Sequence, residues 1–462
     1  MEPFNLSKLE ESMLAFWKEH VIFEKSVKNR AKHKAFVFFE GPPTANGRPG
    51  IHHFLARACK DVICRYQTMP GKLVARKAGW DTHGLPVELG VEKMLGLKNE
   101  KEIEAYGVAE FNAKARESVW QYKDEWERFT ERMGFWLDMK DPYVTYDNRY
   151  IQNLWWVLSA INKNYPLEKD FRVSPYCVRC GTVLSSHELG QPGAYRLTRD
   201  PSLYVKFELK KENSKKKEYV LVWTTTPWTL PANVAIAVHP DLLYTCYESE
   251  TEYLWAVKLP ERLEQKVKDG EIKIVKSAKG TSFVGKKYVP LYAHKEIKNA
   301  YKIVSADFVS AEEGTGLVHI APAFGEEDMR VAKKQDLFIL LTLDDSGAMK
   351  RGEPGEGLFA KDADRIIFEQ LRDRGLVVDD TLGVIEHEYP FCWRCDTPLL
   401  YIARESWFVR MSKIKKEMIK NNGQINWIPS HVQDGRFGGW LRELKDWAIA
   451  RERYWGTPLP IW

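Results

Sequence analysis

An α/β chain interrupted by a β-rich insertion is the fold class that these 462 residues predict. Three observations point to it. Near the start, an apolar stretch runs into a glycine- and proline-rich turn and then into a helical pattern. Over 203–380 the texture changes to short apolar runs separated by polar turns, which reads as a run of strands. Two C-x-x-C pairs flank that region.

In chain order, Leu6, Leu9, Met13, Phe16 and Trp17 mark an amphipathic helix expected to pack on the body of the protein. Phe36-Val37-Phe38-Phe39-Glu40 then reads as a buried strand. Residues 51–66 read as a helix with Ile51, Leu55, Cys59, Val62 and Tyr66 near one face. Between them lies Gly41-Pro42-Pro43-Thr44-Ala45-Asn46-Gly47-Arg48-Pro49-Gly50-Ile51-His52-His53. Helix-start N–H groups carry partial positive charge, glycines let the backbone approach an anion, and an imidazole can donate to a phosphorus centre gaining charge. A strand, turn and helix in this order suit a nucleotide phosphate. The turn alone also fits an ordinary helix start, with His52 and His53 as cap or surface residues.

Tyr122, Trp126, Phe129 and Met133 recur at helical spacing before Gly134, a C-terminal cap, and form a core stripe without chemistry. Strand candidates follow at 203–209, 219–225 and 288–292. The run Lys210-Lys211-Glu212-Asn213-Ser214-Lys215-Lys216-Lys217 reads as a solvated hairpin tip, with a nucleic-acid contact as the alternative. After Cys395, an apolar 399–402 and a helical 411–421 lead back toward the first domain.

The length exceeds one ordinary core, so two or three domains are expected. A formal charge of +5 is compatible with a nucleic-acid partner but does not suggest one. The first residues lack a basic segment followed by an apolar stretch, and no run approaches bilayer-spanning length. A cytoplasmic protein without a membrane partner is expected. The seven cysteines, an odd number, argue for reduced thiols. Cys177-Val178-Arg179-Cys180-Gly181 and Cys392-Trp393-Arg394-Cys395-Asp396 can each present two thiolates to one tetrahedral ion. A shared site requires everything between them to be an inserted domain whose ends meet; the alternative is two unrelated turns with buried or redox-active thiols. Cys59, Cys64 and Cys246 lack ligand spacing and read as core or incidental thiols.

Three further motifs complete the pattern: Gly79-Trp80-Asp81-Thr82-His83-Gly84-Leu85-Pro86-Val87-Glu88, Trp223-Thr224-Thr225-Thr226-Pro227-Trp228-Thr229-Leu230-Pro231-Ala232-Asn233, and Arg451-Glu452-Arg453-Tyr454-Trp455-Gly456-Thr457-Pro458. With the Gly41 turn, and in this order, they resemble the isoleucyl-tRNA synthetases of class I over essentially the whole chain. The resemblance implies a Rossmann-type parallel-sheet catalytic half-domain interrupted by a zinc-knuckle stem and an inserted β-barrel editing domain. The expected boundaries are a helical arm at 1–35, the first catalytic half at 36–165, the stem at 166–196 and 385–412, the editing domain at 197–384 and a return segment at 413–462. It further implies ATP-dependent attachment of isoleucine to its tRNA through an aminoacyl-adenylate. ATP with Mg2+ is then a substrate, isoleucine and isoleucine tRNA are partners, Zn2+ is structural, and the protein is a monomer.

By the same resemblance, Gly41 and Pro42 line the amino-acid pocket and Asp81 pairs with the substrate ammonium. Thr44, Asn46, Gly47, Gly50 and His53 contact ATP, and Gly50, His52 and His53 stand in the catalytic His-Ile-Gly-His signature. Here that signature reads Gly-Ile-His-His, so His53 is expected to carry the imidazole role, with His52 as a second donor if it turns inward. The rearrangement is expected to preserve adenylation while altering contacts to inhibitors that mimic isoleucyl-adenylate. The family's later Lys-Met-Ser-Lys-Ser loop has only an imitation here, Arg410-Met411-Ser412-Lys413-Ile414, which precedes the Arg451 segment and reads as an exposed helix start. The chain is therefore expected to be an N-terminal portion, feeble in adenylation but competent in editing.

One methylene separates isoleucine from valine, and an apolar pocket gains only about 1–3 kcal/mol from it, a limit for which the isoleucine enzymes are the usual example. A second, hydrolytic site is thus expected. Thr224, Thr225, Thr226, Thr229 and Asn233 would orient water and the terminal ribose. In the stretch from Gly314 to Asp328, His319 and Asp328 resemble the remaining editing residues, Asp328 holding the ammonium of misattached valine and His319 positioning the ester. An aminoacyl ester is already activated, so a placed water suffices as nucleophile.

Overall fold

A computed structural model describes residues 5–97, 100–184, 186–210, 216–295 and 297–462, so the tip of the lysine-rich run lies outside the described residues. The chain separates into one unit of residues 1–167, 409–445 and 450–462 and a second of 168–408 and 446–449. No described helix is long and apolar enough to cross a membrane.

In the first unit the helix Leu6–Glu19 is capped by the Asn5 side chain, which accepts from Lys8 N–H. Its apolar residues Leu6, Leu9, Met13 and Phe16 remain exposed. Trp17 does pack, its ring 5.4 Å from that of Trp136 and 4.6 Å from the Arg65 guanidinium carbon. The docking is therefore narrower than the sequence pattern suggested.

The expected strand at 36–40 is extended but unladdered, with Val37 and Phe39 exposed. It runs beside the strand Lys77–Trp80, bridged only at its ends, Ala35 with Leu73 and Thr44 with Asp81. The bridged segment is one residue longer than its neighbour, and Pro42 and Pro43 have no N–H to donate, so register is lost between the bridges. Lys77–Trp80 instead pairs in parallel with Asp138–Val144. Residue 79 must be glycine there, because a Cβ would lie 2.2 Å from the Tyr143 ring. That close passage lets the Tyr143 hydroxyl donate to the Glu40 carbonyl at 3.2 Å, next to the Gly41 turn.

The helix Ile51–Thr68 forms, yet it is turned over relative to expectation. Ile51 is 83% exposed, and Leu55, Cys59, Val62 and Tyr66 also face outward. The buried residues are Arg57, Asp61, Cys64 and Thr68. Arg57 donates to Thr130 Oγ1 at 2.6 Å with its guanidinium 5.1 Å from the Trp126 ring. Asp61 accepts from Arg65 at 2.6 Å, from Arg76 at 3.4 Å and from Trp136 N–H at 3.3 Å. A largely hydrogen-bonded polar seam, with Arg76 Nε left without a partner among the described residues, thus docks the helix, which hydropathy periodicity cannot register. The core stripe behaves as expected: Trp126 is buried in the helix Lys123–Arg132, and Gly134 follows with φ +70°.

The second unit carries a six-stranded sheet in the spatial order Lys273–Lys279, Leu243–Glu248, Glu252–Ala256, Lys217–Thr224, Tyr195–Glu208 and Gly383–Pro390. A three-stranded sheet sets Ala235–Val238 between Lys302–Ser305 and Leu317–Ile320. A further sheet joins Glu168–Cys177, Thr182–Val183, Leu400–Val409 and Trp447–Ala448. Tyr195–Glu208 and Gly383–Pro390 pair antiparallel from Ser202 with Gly383 to Tyr195 with Pro390. The intervening chain therefore leaves and returns on one ribbon. The predicted strand at 288–292 is reduced to a bridge between Leu209 and Tyr288.

Candidate active sites

The nucleotide-like turn is held from below by its own unit. Tyr122 N–H donates to the Ala45 carbonyl at 2.9 Å and Trp126 Nε1 to the Gly47 carbonyl at 2.7 Å. Thr44 and Asn46 are half-buried and Gly47 exposed along this turn. The Thr44 to Asp81 bridge, with Asp81 N–H on the Pro43 carbonyl at 3.0 Å, sets Pro42 and Gly41 beside Asp81. Burial raises the Asp81 pKa, opposed by the His83 backbone N–H. A carboxylate so placed gains from a cation.

At the helix start, His53 Nδ1 accepts the Gly50 N–H at 2.9 Å, which leaves the proton on Nε2. Burial, with His52 and Arg57, lowers the His53 pKa. The His52 ring lies tilted against the His53 ring, with centroids 3.8 Å apart and planes inclined at 43°. A Cβ on residue 50 would lie 2.8 Å from His52 Cε1. A side chain at residue 50 would therefore crowd the exposed His52 ring.

Three residues to which the sequence reading gave no role link two motifs of this unit. Glu88, wholly buried in the helix Leu85–Leu95, accepts Trp455 N–H at 2.7 Å and meets Arg453 at 3.2 Å. Trp455 Nε1 donates to the Thr82 carbonyl at 2.5 Å, and Trp455 lies in the cluster of Val87, Val91 and Phe111. The signal for Glu88 was present in the sequence, an acid among apolar residues one turn into a helix.

In the second unit, Lys217–Thr224 runs into the 3-10 turn Pro227–Ala232. Thr226 Oγ1 lies 3.5 Å from Thr224 Oγ1 and 3.3 Å from Thr229 Oγ1. Thr229 donates to the Thr226 carbonyl at 2.8 Å, so it must accept from His319 Nε2, 3.0 Å away. Burial lowers the His319 pKa to about 4 and keeps the ring neutral. Its Nδ1 is then a buried acceptor without a hydrogen-bond partner among the described residues. Asp328, in the first turn of Glu326–Gln335, accepts Ala321 N–H at 2.8 Å, and burial pushes its pKa to about 7. Thr224, Thr226, Thr229 and His319 thus form one string, with Asp328 one strand end away. Thr225 is half-buried in the same loop. Asn233 is turned into the core, donating to Ala235 O at 2.8 Å and accepting from Tyr288 at 2.6 Å.

The two knuckles converge as well. Sγ of Cys177, Cys180, Cys392 and Cys395 all lie within 4.8 Å of one another. Sulfurs around a tetrahedral zinc stand about 3.8 Å apart, and the pairs here at 3.4, 3.5 and 4.0 Å bracket that spacing. Hydrogen bonds from Cys177 and Cys180 pull the Cys392 thiol well below the ordinary range. In both knuckles the residue after the second cysteine, Gly181 or Asp396, is left-handed, with φ +57° and +59°.

Residues 12–462 match the family model for class I tRNA synthetases (I, L, M and V). The chain belongs to this family. It is 48% identical over 463 residues to the isoleucine--tRNA ligase of Thermus thermophilus, covering 100% of this chain and 43% of that protein. It is 48% identical over 447 residues to that of Bacillus thuringiensis, covering 96% and 42%, and 45% identical over 460 residues to that of Clostridium novyi, covering 99% and 43%. The synthetase chain thus spans less than half the length of these curated relatives. A solved chain described as "The crystal structure of GlLeuRS-CP1" shows 16% identity and a TM-score of 0.32, covering 39% of this chain and 98% of that one; so low a score bears no argument.

Proposed function

We propose that this synthetase chain is the activating and proofreading portion of an enzyme that attaches isoleucine to its tRNA, with hydrolysis of misattached valine. The observation that carries the reading is a pair of carboxylates in different units, Asp81 and Asp328, each raised in pKa by burial. Each is suited to the α-ammonium of an amino acid, the first beside a proline-walled turn and the second beside a threonine–histidine string. The relatives' name supplies isoleucine as the amino acid.

In this reading the first unit is the catalytic half-domain and most of the second is the editing domain on its cysteine-bound stem. The amino-acid carboxylate attacks the α-phosphorus of ATP, breaking the bond to the β-phosphate and releasing pyrophosphate, and the N-terminus of Ile51–Thr68 would receive the phosphates with their Mg2+. His53 donates from Nε2 as charge accumulates, with the His52 ring tilted against it. In the second pocket Asp328 binds the valyl ammonium, and the Thr226 and Thr229 hydroxyls orient water against the ester. His319, neutral and hydrogen-bonded to Thr229, holds that hydroxyl in place and offers Nδ1 to a ligand donor. The four thiols would hold a structural Zn2+ that ties the two ends of the insertion together.

ATP–pyrophosphate exchange in a full-length synthetase carrying this chain tests the first half. With isoleucine, Asp81→Asn should lower kcat/KM by about a hundredfold or more. Exchange unaffected by that change would contradict the role of Asp81.

A further inference from the structure

The threonine loop is held from behind by a carboxylate that no motif of the sequence marks. Asp364 opens the helix Asp364–Asp373, and its Oδ1 accepts the backbone N–H of Trp228 at 2.7 Å, with both residues buried. Trp228 stands between Thr226 and Thr229 in the 3-10 turn. Pro227 has no N–H, so Trp228 is the first residue of that turn with a backbone donor, and a buried donor left unmade costs about 1–3 kcal/mol. Fixing residue 228 fixes the relative place of the Thr226 and Thr229 hydroxyls on either side.

The carboxylate is itself anchored. Lys361, in the turn Ala360–Ala363 just before it, lies 2.8 and 2.9 Å from the two oxygens of Asp200 and 3.6 Å from the Tyr389 ring centroid. His387 Nε2 meets the same Asp200 at 2.9 Å. Asp200 and His387 belong to the paired strands Tyr195–Glu208 and Gly383–Pro390, so the ribbon that closes the insertion also sets the height of Asp364.

We propose that Asp364 is a positioning residue for the hydrolytic site, holding the threonine loop in the conformation that aims Thr226 and Thr229 at the aminoacyl ester. The proposal rests on the editing reading above. What the loop requires is an acceptor at this place. Burial drives the Asp364 pKa up to about 7, opposed by the Trp228 N–H and by Lys361, so the charge is costly to keep there. An asparagine, which keeps a carbonyl oxygen and loses the charge, should serve as well.

The test is steady-state deacylation of valyl-tRNA by the whole chain, with melting curves for each variant. Asp364→Asn should stay within about threefold of the original kcat. Asp364→Ala, which removes the acceptor, and Asp364→Glu, which keeps the charge but displaces it, should each lose about tenfold or more in kcat, with KM held within about twofold. If the alanine variant does not fold, the asparagine and glutamate variants decide the matter. Original kcat in a folded Asp364→Ala or in Asp364→Glu would overturn the proposal, as would an asparagine variant as impaired as the other two. A loss that falls on KM alone would overturn it too. If the unsubstituted chain binds valyl-tRNA without hydrolysing it, the editing reading itself fails, and the role of Asp364 with it.

Discussion

Glu88 accepts the backbone N–H of Trp455 at 2.7 Å while its other oxygen faces Arg453 at 3.2 Å, across 367 residues of sequence for the first contact. One buried carboxylate thereby ties the last motif of the chain to the motif that holds Asp81. Removing it strands a guanidinium that is itself 11% exposed at the side chain. Glu88→Ala should cost about 3–5 kcal/mol in denaturant unfolding, and Glu88→Gln, which can still accept from Trp455, should cost less. An unchanged unfolding midpoint in the alanine variant would contradict this tie.

The Gly50 and His52 pair predicts a specific pattern of coupling. In a full-length synthetase, Gly50→His alone should crowd the His52 ring, while His52→Gly alone should empty the space and leave no second donor. The double change should recover exchange activity beyond the product of the single losses, a coupling of about 0.5–3 kcal/mol. Affinity for an isoleucyl-adenylate mimic should shift in the same double variant. Strictly additive effects would show that the two positions are independent.

Asp328 predicts a pH dependence with a definite sign. Its pKa in the folded protein, about 7, lies above that of an exposed aspartate, so folding favours its neutral form. The corresponding stability is fully present at acid pH and is lost as pH rises through about 7. Ammonium binding requires the carboxylate, so valyl-tRNA deacylation should climb over the same range. Asp328→Asn should remove both trends. His319 acts oppositely on stability, since its pKa of about 4 means that the fold loses stability as pH falls toward that value. A rate profile in the parent chain that is flat between about pH 6 and 8 would count against Asp328 as the ammonium partner.

Four thiols at this spacing predict one zinc per chain by metal analysis. Cys392→Ser should abolish stoichiometric binding, and a chelator should lower the melting temperature of the parent chain but not of the variant. Equal melting curves with and without chelator, in a zinc-loaded sample, would oppose a structural metal.

Local sequence made much of this architecture legible, and tertiary partners account for most of what was not. The helix after the Gly41 turn, the core tryptophan Trp126 and the Gly134 cap followed from spacing alone. The face on which the helix Ile51–Thr68 docks did not, because Arg57 and Asp61 are buried by partners distant in sequence, Thr130, Arg76 and Trp136. The strand at 36–40 failed for a different reason, two prolines and one surplus residue against its neighbour. Within the threonine loop, residue types pointed to the hydroxyl string, but the inward turn of Asn233 depends on Tyr288. Asp364 carries no local mark, since its meaning lies in a single N–H across 136 residues.

Hydrolysis of valyl-tRNA by this chain, followed without ATP, bears most directly on the account of two pockets judging one amino acid. Turnover should disappear in a folded Asp328→Ala variant, and the parent should leave isoleucyl-tRNA largely intact. Equal hydrolysis of both aminoacyl-tRNAs, or full activity in the Asp328→Ala variant, would contradict it.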